Sequence, residues 1–152
     1  MAETLLNDYR SGFPNACVLF PDAVQTLARL RTSGLKLGLI TNGSIRMQSR
    51  KLQCLALSPL FDTILISYAE GISKPDRQIF HRALERLNTD PAQAVFVGDH
   101  PEVDVAGARA AGMHAVWRRD PSVSRVVEAD GIIDQLSDLL TWLGLERTGF
   151  SN

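Results

Sequence analysis

AVFVGDHPEVDVAGARAAGMHAVW, residues 94–117, decides the fold. Its first five residues are apolar and partly β-branched, as a strand buried on both faces requires, and Asp99 follows that run directly. Pro101 then opens a helical stretch and Gly112 closes it, the asymmetry expected of helix ends. Ala106, Gly107, Ala108, Ala110 and Ala111 give that helix a small-residue surface able to lie close to a sheet. HAVW, residues 114–117, is the next short apolar strand. Strand, helix, strand in this order implies a parallel pair joined by a right-handed crossover.

The same alternation extends in both directions. LKLGLI at 35–40 and TILIS at 63–67 read as further buried strands. A helix is expected over 22–33, with Val24, Leu27, Ala28 and Leu30 inward and Gly34 as its stop. Another follows Pro75, where Ile79, Phe80, Ala83, Leu84 and Leu87 recur as one stripe. Residues 131–145 read as a closing strand or turn and an amphipathic helix with Leu136, Leu139, Leu140 and Leu143 inward. The expectation is an α/β fold, a Rossmann-like doubly wound parallel sheet in a single domain.

At 152 residues and 45% apolar composition the chain is long enough to bury one core. A formal charge of -1 gives no electrostatic basis for nucleic acid or an anionic membrane as partner. No apolar run reaches the roughly 20 residues that span a bilayer, and MAETLLNDYR lacks a secretory pattern, so a cytoplasmic location is expected. Cys17 and Cys54 are far apart and lack a CxxC or histidine neighbour, which reads as two reduced structural thiols. His81, His100 and His114 are scattered, and none has a partner that marks it as base or ligand.

Ligands of such sheets gather at the carboxyl ends of the strands. Thr41-Asn42-Gly43-Ser44 follows the strand at 35–40, and a hydroxyl beside free amides at a helix start suits a phosphate. The same residues would equally form a turn that caps the next helix. Lys74 precedes Pro75, which biases it to extended backbone and would place an ammonium at the rim of the sheet, although most lysines are simply solvated. In GDHPEVD, residues 98–104, Asp99 ends a strand and Asp104 falls in the first helical turn. Paired carboxylates there suit Mg2+, with Asp99 binding directly and Asp104 through water or a hydrogen bond. An acidic first turn that merely suits the helix dipole is the alternative, but it leaves the acid on the strand end unexplained.

Together LGLITNGS, GISKPDRQIFHRAL and the stretch at 94–117 resemble the second, third and fourth motifs of the haloacid dehalogenase-like (HAD-like) hydrolase superfamily, in its phosphatase-rich branch with an inserted helical cap. The resemblance runs from about Phe20 to Leu143. It implies a Mg2+-dependent phosphatase acting on a small phosphorylated substrate through an aspartyl-phosphate. It further implies that Thr41 and the Asn42 amide hold the phosphoryl group, that Lys74 orients and neutralises, and that Asp99 and Asp104 serve the metal.

The family's first motif, a nucleophilic aspartate with a second acid two positions on, has no counterpart here. That implies an N-terminally truncated, weak or inactive chain, without the usual first central strand and most of the cap, residues 1–20 being a remnant of the cap or its return segment. A non-catalytic binding module is one alternative, and a carbon–halogen hydrolase another, though the metal-binding acids favour phosphate. ACVLF at 16–20 could replace the missing strand and bring Asp22 near the catalytic position, but Phe20 and Val24 stand where the paired acids would be. Without a replacement, inner sheet edges would be exposed and would favour self-association into a homo-oligomer.

Overall fold

The computed structural model describes residues 18–146. In chain order these form α1 (Ala23–Thr32), β1 (Gly38–Thr41), α2 (Ile45–Cys54), β2 (Thr63–Ile66), α3 (Ser67–Glu70), α4 (Arg77–Leu87) and β3 (Val95–Gly98). There follow a π-wound segment, Pro101–Ala106, that runs into α5 (Gly107–Ala110), then β4 (His114–Arg118), β5 (Gly131–Ile133) and α6 (Asp138–Trp142). β1 pairs with β2 in parallel, Gly38 opposite Thr63 and Thr41 opposite Ile66. β3, β4 and β5 form a second parallel set, with Gly98 opposite Trp117 and Arg118 opposite Ile133.

Successive strand residues point to opposite faces, and helices cover both. Leu39, Val97, Val116 and Ile133 meet Leu27 and Leu30 of α1, Leu52 of α2 and Leu139 of α6 in one core. Ile40, Leu65, Phe96, Ala115 and Trp117 meet Ile79, Phe80 and Ala83 of α4 and Ala108 of α5 in the other. Each core therefore takes residues from both strand sets, which makes them two halves of one doubly wound α/β layer. Phe80 meets Phe96 edge-on, with ring centroids 5.0 Å apart.

Among the described residues no strand lies between β1 and β3. A cavity of about 280 Å³ is found there instead, lined by Gly38 and Ile40 from one half and Val95, Phe96 and Val97 from the other. This is where the sequence predicts an absent central strand. Of the candidate replacement strand ACVLF, residues 18–20 are not in strand conformation, and Val18 is 72% exposed. Leu19 and Phe20 pack onto the first core, with the Arg118 guanidinium 3.8 Å above the Phe20 ring centroid. Ala16, Cys17 and the rest of the expected cap remnant lie outside the described residues.

Other expectations shift in detail. α1 buries Ala23, Thr26, Leu27 and Leu30, a truer i, i+3, i+4, i+7 stripe than the expected one, and leaves Val24 and Ala28 exposed. α4 begins at Arg77, because Asp76 caps it by accepting from the Gln78 amide at 2.9 Å. Cys54 is a free thiol but exposed, so it contributes no packing. No helix among the described residues is long and apolar enough to cross a membrane.

The chain between β2 and Lys74 is held by Glu70. Its carboxylate takes a two-pronged contact from Arg86, at 2.8 and 2.9 Å, and one from Arg82 at 3.0 Å, tying α3 to α4. Burial opposes ionisation of Glu70, but the hydrogen bonds and charges of Arg86 and Arg82 outweigh it and hold the carboxyl below the usual range. A depressed folded-state value contributes stability above the unfolded-state value, near ~4.3, which is lost as pH falls through the folded one. Glu70→Gln should thus be less stable than the parent at pH 7 and lose less on acidification below about pH 5. Urea midpoints measured from pH 7 to 3 check this; parallel curves would contradict it.

Candidate active site

The carboxyl ends of β1 and β3 are joined by side chains. Asn42, just past β1, clasps the main chain of Lys74: its Nδ2 donates to the Lys74 carbonyl and its Oδ1 accepts from the Lys74 amide, both at 2.9 Å. Lys74 Nζ then reaches Asp104 Oδ1 at 2.7 Å, with both side chains fully buried. The Phe96 ring lies below the ammonium, 5.5 Å from Nζ to the centroid. Asp104 Oδ2 accepts from the His100 amide at 3.1 Å, so both oxygens of Asp104 are engaged.

Asp104 reaches this position because the helical segment after β3 opens wide. The amides of Asp104 and Val105 both donate to the His100 carbonyl, at 3.0 and 3.2 Å, the second being the i to i−5 bond of a π turn. The turn lays the Asp104 carboxylate against Gly98, where a Cβ would sit 2.5 Å from Asp104 Cγ. Gly98 is thus required by close approach rather than by backbone freedom. His100, given no role by the sequence, caps this turn by accepting the Val103 amide on Nδ1 at 3.1 Å. A histidine directly before Pro101, at the N-cap position, was the available signal.

The other half of the site is the loop at 41–44. Thr41 is buried at the end of β1. The amide of Gly43 donates to Ser67 Oγ at 2.9 Å, and Ser44 Oγ accepts the Met47 amide at 3.3 Å, so the loop also caps α2. Gly43 has φ +147, and a side chain there would meet Gln48. Gln48 Nε2 in turn donates to the Asn42 carbonyl at 3.0 Å. Sequence reasoning missed Gln48, which nothing but its position one turn into α2 could have indicated.

Asp99 is half-buried immediately after β3, and its carbonyl accepts Trp117 Nε1 at 2.9 Å from the neighbouring strand. The structure thus brings together Asn42, Lys74 and Asp104 by direct contact, with Thr41 and Asp99 on the ends of the flanking strands. Among the described residues no three His, Cys, Asp or Glu side chains converge as a metal-binding group. Asp22 is elsewhere engaged: its Oδ2 accepts the Ser137 amide at 2.8 Å, fastening the start of α1 to the chain entering α6.

Removing one member of a buried ion pair costs about 3–5 kcal/mol, because the other charge loses its compensation. Asp104→Ala is expected to lose that much stability, and Lys74→Met combined with Asp104→Leu to recover most of it. Gly98→Ala should cost about 1–3 kcal/mol by displacing the Asp104 carboxylate. Denaturant unfolding of the three variants is the check, and a double variant no more stable than Asp104→Ala would contradict the coupling.

Comparison with known proteins points in one direction. Residues 7–112 match the family model for haloacid dehalogenase-like hydrolases. The chain is 46% identical over 99 residues to a phosphoserine phosphatase of Thermus thermophilus, a match covering 65% of this chain and 40% of that protein. It is 36% identical over 132 residues to a glyceraldehyde 3-phosphate phosphatase of Pyrococcus furiosus, covering 84% and 55%. It thus spans about half the length of these curated relatives. A HAD phosphatase of Thermococcus onnurineus superposes with TM-score 0.83 at 36% identity, over 90% of this chain and 63% of that one. A protein from Listeria monocytogenes serotype 4b does so with TM-score 0.76 at 30% identity, over 95% and 94%.

Proposed function

The chain belongs to the haloacid dehalogenase-like hydrolase family, and on that premise we propose that its site serves Mg2+-dependent hydrolysis of a small phosphorylated metabolite. The observation that carries this reading is the buried Lys74–Asp104 pair clasped by Asn42 at the strand ends. An ammonium fixed near strand ends that also carry the Thr41 hydroxyl and the turn at 42–44 would suit an anion with tetrahedral oxygens. Phosphatase relatives at 36–46% identity support this reaction class. Small phosphomonoesters such as phosphoserine or glyceraldehyde 3-phosphate are the substrates to try first.

In this reading Thr41 and the Asn42 amide hold the phosphoryl group, Lys74 offsets its charge, and Asp104 fixes Lys74. Asp99 is the carboxylate placed to ligate Mg2+, while Asp104, with both oxygens engaged, serves the ion only indirectly. In this reading Asp99 would share the ion with substrate phosphate, water and a second carboxylate. The remaining oxygen and the nucleophile must come from an acid outside the described residues. When bound, the ion would supply charge stabilisation at the phosphoryl oxygens.

Phosphate release from phosphoserine and from an aryl phosphate, with and without Mg2+, tests the reading. The 152-residue chain alone should show little or no turnover, and Asp22→Asn should change nothing. Joining an apolar strand ending in Asp-x-Asp ahead of the chain should create Mg2+-dependent release, and Lys74→Ala should lower it by about 10²–10³-fold. Robust turnover by the unextended chain that disappears in Asp22→Asn would overturn the assignment, as would an extended chain that folds and remains inactive.

A further inference from the structure

We propose that Arg118 is a carboxylate-binding residue beside the candidate active site, so that the preferred substrate is a compact phosphomonoester that also carries a carboxylate. This rests on the phosphatase reading and narrows it. Arg118 is the last residue of β4, the strand next to β3. Gly98 stands opposite Trp117, so Asp99 and Arg118 are the next residues along two strands that lie about 4.8 Å apart. The Trp117 indole donates to the Asp99 carbonyl at 2.9 Å and ties these strand ends together. The Arg118 side chain therefore starts one strand away from the carboxylate placed to ligate Mg2+.

Arg118 stands apart because it lacks an acceptor. Three of the described arginines are half-buried: Arg29, Arg82 and Arg118. Arg29 donates to the Leu145 carbonyl at 3.2 Å, and Arg82 to the Glu70 carbonyl and carboxylate at 2.8 and 3.0 Å. Among the described residues Arg118 has no such partner, and its Nε is enclosed without a hydrogen bond. A buried donor left in that state costs about 1–3 kcal/mol, and more when charged. The Phe20 ring, 3.8 Å from the guanidinium carbon to its centroid, steadies the group by a cation–π contact but accepts none of its N–H bonds. A guanidinium that only covered Phe20 would leave the enclosed Nε unexplained.

Charge and shape select the ligand group. The planar fork of a guanidinium matches a carboxylate through two parallel hydrogen bonds. One positive charge balances one carboxylate. A second phosphate, with a charge of about -1.5 to -2 at neutral pH, would be only partly compensated, because the neighbouring Arg119 is already paired with Asp134 at 2.9 Å. Phosphoserine, which has a carboxylate, therefore suits the site better than glyceraldehyde 3-phosphate, which has none.

Three probes separate the contributions: 3-phosphoglycerate, glycerol 3-phosphate, which has a hydroxymethyl group in place of the carboxylate, and glycerate, which has no phosphate. Binding to the 152-residue chain is followed by NMR of the arginine Nε–H signals, with that of Arg118 assigned by its loss in Arg118→Gln. In the parent, 3-phosphoglycerate should bind at least tenfold tighter than glycerol 3-phosphate and shift the Arg118 signal. Arg118→Gln should bring the two affinities within about twofold, and Arg118→Lys, which keeps the charge but not the fork, should retain part of the preference. Glycerate should shift the same signal at higher concentration. If glycerate does so and neither phosphate compound binds more tightly than glycerate, the phosphatase reading fails and the carboxylate subsite stands. Equal affinities of the parent for the two phosphate compounds, a preference that survives Arg118→Gln, or an Arg118 signal that no carboxylate moves would each overturn the proposal.

Discussion

The buried contact between Lys74 and Asp104 is what the rest of the site depends on. A charge pair inside a protein stabilises only when its geometry is good and its remaining hydrogen-bonding capacity is used. Here Asp104 spends its second oxygen on the His100 amide, and the Lys74 main chain is gripped on both sides of its peptide by Asn42. Each of these partners belongs to a different strand end or loop. Three separate stretches of chain, 41–44, 70–76 and 98–104, therefore take up their positions together.

That coupling matters because the sheet itself does not provide it. β1 and β3 share no ladder of backbone hydrogen bonds, so their relative placement rests on side chains and on helices that pack across both halves. Leu39 and Val97 sit in one core, Ile40 and Phe96 in the other, each row bridging the slot. Full burial of such side chains contributes roughly 1.5–3 kcal/mol each, and packing across both halves helps to hold them in register. Apolar packing fixes the separation; the Asn42–Lys74–Asp104 chain fixes the mouth.

Much of this was legible in the residues. Short apolar runs at 63–67, 94–98 and 114–117, separated by helical stripes and closed by Gly34 and Gly112, define a parallel α/β sheet because period and punctuation agree. Thr41 and Asp99 stand at strand ends, Lys74 directly before Pro75 and Asp104 in the turn after β3, as their places in the sequence imply. The phase of α1 was misjudged because Val24 and Ala28 look as apolar as Ala23 and Thr26, and only packing against β5 and α6 decides between them. The roles of Asn42, Gly98 and His100 were hidden for a related reason. A clasp, a close approach and a cap are contacts between distant residues, and the spacing of residues along one segment does not encode them.

Position alone also fails to distinguish a metal ligand from a brace. Asp99 and Asp104 are both acids near the end of β3, yet their surroundings divide the work. Asp104 is enclosed, with an ammonium on one oxygen and an amide on the other. Asp99 is half-buried directly after β3. Nearness to one strand end therefore does not give the two acids one role: Asp104 is committed to bracing Lys74, and Asp99 is not.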